Sequence, residues 1–184
     1  MAFAYYRRLS RHRQAVYRQS DAIERVPLAN AADFFPLTDE LGLALADEDR
    51  KAISRASHDL VAELSRTLKA PPVRIKVLAK RPSDDWGELH GLYEPAERRE
   101  SARITVWMRT AQKKQVVAFK TYLRTLLHEF CHHLDYEVLS LEESFHTEGF
   151  YKRESSLFHQ IVRESAKKAA STGTINGDSP HYRS

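Results

Sequence analysis

His128, Glu129 and His132 form the pattern H-E-x-x-H within the apolar run LLHEFCHHLD, residues 126–135. Histidines four positions apart on a helix sit about 40° apart around its axis and one turn along it, so both imidazoles can reach one ion. The glutamate beside the first histidine can then face a water on that ion. Zinc brings such a water toward a pKa of about 7, and a carboxylate can take its proton. Ionisable groups beside an apolar helix face carry a free-energy penalty unless something pairs with them, and a metal ion is such a partner. The expected roles are therefore His128 and His132 as Zn2+ ligands and Glu129 as catalytic base.

A catalytic zinc site has three protein ligands and one position for water. His146 is the first choice for the third, with thirteen residues between it and His132. A glutamate on the following helix, Glu148 or Glu154, is the competing choice. The longer metzincin motif is excluded, because it needs glycine at 135 and histidine at 138, where this chain has Asp135 and Val138. Asp135 falls on the ligand side of the helix and could hydrogen-bond a ligand imidazole. His133 is rotated away and is expected to be exposed, and Cys131 is read as a packing residue. Tyr93, Tyr151 and His159 could stabilise an oxyanion, or could be structural.

HEFCH followed by HTEGF resembles the zinc-binding core of the SprT-like (Spartan-type) metallopeptidases. In that family a third histidine follows the HExxH helix, with an aromatic residue four positions later; His146 and Phe150 match those places. Residues 73–165 carry the resemblance. It implies a zincin-like fold, zinc on His128, His132 and His146, and Glu129 as the base, with ARITVWM as the strand beside the cleft. Thr147 stands where the family commonly has glycine. The family's carboxy-terminal zinc ribbon cannot form with one cysteine.

These residues need elements to hold them. Val73, Ile75 and Val77 alternate with charged residues, as in a half-buried strand. ELHGLYE, residues 88–94, is a weaker strand candidate, and ARITVWM, residues 102–108, a stronger one. Helical spacing runs through residues 44–70, with Asp47 as N-cap and Pro71 and Pro72 as the stop. It returns from Lys114 through Leu134 and again in residues 149–169. The expected class is α+β: amino-terminal helices, a small mixed sheet, the HExxH helix and a carboxy-terminal helix.

At 184 residues, 42% apolar and 29% charged, the chain suits one globular domain. No apolar run is long enough to span a bilayer, no secretory signal opens the sequence, and the one cysteine cannot form an internal disulfide. A cytoplasmic setting is the simplest expectation. The net charge of +4 is uneven: residues 1–20 hold five arginines and no acid, leaving −1 for the rest. That segment reads as a basic arm, either binding nucleic acid or forming an amphipathic helix with Tyr5, Leu9, Val16 and Tyr17 turned inward; an organelle transit peptide is a third reading. The expected organisation is a basic arm at 1–20, a metallopeptidase domain at 21–170 and a disordered tail at 171–184. The expected activity is hydrolysis of a protein or peptide substrate. The alternative is a zinc-stabilised module that binds nucleic acid through the arm.

Overall fold

The computed structural model describes residues 3–84, 87–97 and 100–162. The expected tail lies outside them. A 3-10 turn at Ala4–Arg8 leads into α1, Arg11–Ala22, capped by the Ser10 hydroxyl. A second 3-10 turn, Ala31–Phe34, opens α2, Phe35–Ala46, and α3 follows at Arg50–Leu68. Asp49, rather than Asp47, caps α3: its carboxylate accepts from the Lys51 and Ala52 amides, whereas Asp47 closes α2. The helix ends at Lys69, which adopts φ 56°, two residues before the prolines.

The strands are β1, Arg74–Lys80, a short hairpin of β2, Ser83–Asp84, and β3, Gly87–Glu88, then β4, Gly91–Glu94, and β5, Arg103–Arg109. β1, β5 and β4 make a mixed three-stranded sheet in that order, and β2 and β3 pair separately. β1 runs parallel to β5, and β4 antiparallel to it. Two long helices follow among the described residues, α4 at Phe119–Glu137 and α5 at Glu148–Ile161. The α+β class with a small mixed sheet is as expected; the HExxH helix, α4, begins at Phe119 and not at Lys114.

One apolar core joins the layers. Ile104, Val106 and Met108 of β5 pack with Leu60 and Leu64 of α3 and with Leu123, Leu127 and Phe130 of α4, all fully or almost fully buried. A hydrogen bond between the hydroxyls of Ser57 and Tyr122 fastens α3 to α4 inside that core, at 3.0 Å. Phe150, Leu157 and Ile161 bring α5 onto α4. A second cluster, Val16, Tyr17, Leu141 and Phe145, seats α1 against the loop between α4 and α5, with Leu9 partly buried beside it. The inward reading of Leu9, Val16 and Tyr17 therefore holds, while Tyr5 stays at the rim, 37% exposed.

β5 is the middle strand, so the expectation that ARITVWM borders the cleft is corrected. β1 and β4 are the edges, and β4 is the one that lines the cleft. Four residues are enough for that role, because β4 needs only one partner and its Gly91 allows it to lie close to α4.

Candidate metal centre

α4 supplies two imidazoles from one face. The rings of His128 and His132 have centroids 5.0 Å apart and stand edge to face. His146 arrives from the loop immediately ahead of α5. The chain can turn into a helix there because the Thr147 hydroxyl accepts from the Phe150 amide at 2.9 Å, an N-cap that a glycine would lack. Phe150, fully buried, lies against all three imidazoles with centroids 4.9, 4.8 and 5.2 Å away.

The ring nitrogens converge. Nε2 of His146 lies 2.9 Å from Nε2 of His128 and 3.1 Å from Nε2 of His132. His128, His132 and His146 are the one group of three or more such side chains among the described residues that could hold a metal ion. The two rival carboxylates stand elsewhere. Glu148 is paired with Lys152, and Glu154 lies behind His128, with its Oε2 3.2 Å from the Nδ1 of that ring.

The outer hydrogen bonds decide which nitrogen of each ring faces inward. The Glu154 carboxylate accepts, so His128 Nδ1 carries a proton and its Nε2 presents a lone pair. His132 Nδ1 lies 2.6 Å from the Ser144 hydroxyl, which donates to Asp135 Oδ2 at 2.7 Å. The hydroxyl has one proton, so it accepts from His132 Nδ1, and His132 Nε2 likewise faces inward as a lone pair. A single proton on His146 Nε2 can satisfy only one of these neighbours. A cation satisfies all of them, and this donor set therefore fits a metal. Burial and the neighbouring imidazoles push the His132 pKa down to about 3, and burial also lowers that of His146, so both rings favour the neutral form that binds metals.

Glu129 is buried on the cleft side of α4, beside the edge strand. Burial raises its carboxyl pKa, opposed by His128 and by the Tyr93 backbone N–H that it accepts from. A cleft of about 590 Å³ opens over these groups, lined by Gly91 and Leu92 of β4, His128, Glu129, His132 and His146, with Arg124 and Tyr136 at its borders. Arg124 stacks over Phe158 at 4.1 Å and reaches Glu154 at 3.4 Å.

Comparison with protein-family models, with curated proteins and with solved structures finds no match. The functional reading rests on the site itself.

Several neighbours differ from their sequence readings. His133 is buried, not exposed: its Nε2 lies 2.8 Å from the Pro71 carbonyl and its Nδ1 3.2 Å from the Tyr93 hydroxyl. The sheet covers that side of α4, which helical spacing alone does not show. The Tyr93 hydroxyl is thereby engaged by His133, while its ring stacks beside His132 at 6.4 Å. Asp135 reaches His132 through Ser144 and not directly. Tyr151 stacks beside His146 at 5.9 Å, whereas the recorded ring contact of His159 is with Phe158. Cys131 is a buried packing residue, as expected, and burial raises its thiol pKa.

Ser144, Arg124, Arg153 and Gly91 were missed. Gly91 had a signal, since glycine inside a strand marks close approach of another group. Ser144 had none beyond its place two residues ahead of His146.

Proposed function

We propose that this chain is a zinc metallopeptidase of the SprT-like type, acting on peptide bonds of protein substrates. The observation that carries the reading is the pair of externally fixed lone pairs on His128 and His132, facing His146, with a buried carboxylate alongside. Three imidazoles suit zinc and leave one coordination position open. Zinc–nitrogen bonds of about 2.0–2.1 Å place tetrahedral neighbours about 3.4 Å apart, near the separations of 2.9 and 3.1 Å here.

When bound, zinc would polarise the scissile carbonyl and acidify the attacking water. Glu129 takes the proton of that water and later delivers it to the leaving amine. Burial suits it to both steps, because a carboxyl with a raised pKa holds a proton more readily than an exposed one. The Tyr93 N–H fixes the orientation of the carboxylate. The edge of β4 beside the cleft offers main-chain hydrogen bonds to an extended polypeptide. A site built only to stabilise the fold has no use for a carboxylate held beside an open cleft.

The test is Glu129→Gln in the full chain. Zinc content should stay at about one per chain, since Glu129 is no ligand in this reading. Cleavage of an unfolded protein or a peptide library should fall by a factor on the order of 100 or more. Unchanged cleavage in that variant would refute the role of Glu129.

A further inference from the structure

His132 is held differently from His128. Behind His128 stands a carboxylate, Glu154, that belongs to α5 and is partly open to the cleft. Behind His132 stands a hydroxyl, Ser144, followed by a carboxylate with no exposure at all. Asp135 Oδ1 accepts from Arg153 Nη2 at 2.8 Å, and Arg153 is itself 1% exposed. The guanidinium continues inward: Nη1 donates to the Ser20 and Ile23 carbonyls, at 2.6 and 2.5 Å, and Nη2 to the Ser20 hydroxyl at 3.1 Å. The line His132–Ser144–Asp135–Arg153 thus runs from the cleft to the end of α1.

Ser144 also belongs to the loop that carries His146. That loop is fixed to α1 from the outside. Arg13 donates to Glu143 through Nε at 2.9 Å, His12 lies 2.5 Å from Glu142, and the Tyr5 hydroxyl donates to the His146 carbonyl at 3.2 Å. Tyr17 and Phe145 pack at 5.9 Å beneath these contacts. One short segment therefore places the third imidazole and buttresses the second. Neither the motif H-E-x-x-H nor the His146 spacing requires a hydroxyl at 144.

We infer that Ser144 is a positioning residue for His132: its hydroxyl, anchored through Asp135 and Arg153, holds the imidazole with Nε2 toward the metal. The inference rests on the reading that the three histidines bind a metal. Asp135 reaches the imidazole through that hydroxyl with Oδ2, while its Oδ1 stays paired with Arg153. Loss of an outer hydrogen bond of this kind weakens metal binding on the order of 10–100-fold. A merely structural serine on a half-buried loop would leave metal affinity unchanged.

The experiment measures zinc affinity by chelator competition in the full-length wild type, Ser144→Ala and Ser144→Thr, with the visible spectrum of each cobalt-substituted protein. Melting of the metal-free proteins reports folding separately. Ser144→Ala should bind zinc about 10–100-fold more weakly with an altered cobalt spectrum, and Ser144→Thr, which keeps the hydroxyl, should recover most of the affinity. In the zinc-loaded wild type, nitrogen-15 NMR should show His132 protonated at Nδ1. Affinity within twofold of wild type in Ser144→Ala, equal weakening in both variants, or a His132 protonated at Nε2 would each overturn the inference. A wild type that takes up neither zinc nor cobalt would instead refute the metal site beneath it.

Discussion

Gly91 of β4 lies directly against the carboxylate of Glu129 on α4; a Cβ built on Gly91 would overlap Oε1, Cγ and Cδ of that side chain. The edge strand and α4 are therefore as close as a missing side chain permits. The same closeness lets the Tyr93 N–H reach the carboxylate. Gly91→Ala should displace Glu129 or push β4 outward. A misplacement of about 1 Å at a reacting group can lower the rate on the order of 100-fold, while the three imidazoles, on the other side of Glu129, keep their outer partners. The expected outcome is a large drop in kcat/KM with zinc affinity within about threefold of wild type. Steady-state kinetics beside chelator competition check it.

The three candidates for the third ligand separate cleanly by position. His146→Ala removes a converging nitrogen and should abolish stable zinc retention. Glu154→Ala leaves all three nitrogens but frees His128 Nδ1, so affinity should fall on the order of 10–100-fold. Glu148→Ala, at an exposed residue paired with Lys152, should change affinity by less than twofold. Zinc titration of the three variants tests this ranking. A chain that keeps its metal without His146 and loses it without Glu154 would be a different kind of site.

The convergence of His128, His132 and His146 and the small sheet were legible in the sequence, because each depends on periodicity or short-range spacing. His128 and His132 share a face by helix geometry alone. The errors arose where a neighbour from elsewhere in the chain decides the matter. His133 looked exposed because the α4 pattern does not reveal that β4 and Pro71 cover it. ARITVWM was set beside the cleft by the resemblance and not by its own alternation. Strong alternation through Ile104, Val106 and Met108 instead marks the strand buried between two neighbours. The five arginines of residues 1–20 were legible as charge, but their partners were not. Arg13 is paired with Glu143 across 130 positions, a contact that composition cannot suggest.

Gly149 is the tightest point between α1 and α5. A Cβ there would meet the backbone of Asp21, carbonyl oxygen included, and backbone cannot swing aside. The Gly149 amide also donates to Asp21 Oδ1 at 2.9 Å, fixing the two helices together. Gly149→Ala should destabilise the protein by about 1–3 kcal/mol through overpacking. For a chain of this size each kcal/mol lowers Tm by about 2–4 °C. Thermal melting of the metal-free protein checks it, and an unchanged Tm would mean that α1 does not dock as described.

Glu129 gives a prediction in pH. Burial raises its carboxyl pKa in the folded chain above the ordinary value of about 4.3 for an exposed glutamate. Linkage gives the sign for stability. A group with a raised folded pKa favours the fold most while protonated, and that contribution is lost as pH rises through the folded value. At neutral pH the ionised carboxylate is therefore a burden on the metal-free protein. Glu129→Gln removes the burden, so the metal-free variant should melt at the same temperature as wild type or higher at pH 7, with the advantage shrinking toward pH 4. Melting curves across that range measure both signs at once. A variant less stable at pH 7 than at pH 4, relative to wild type, would mean that the carboxylate is stabilised by its surroundings and that the raised pKa is wrong.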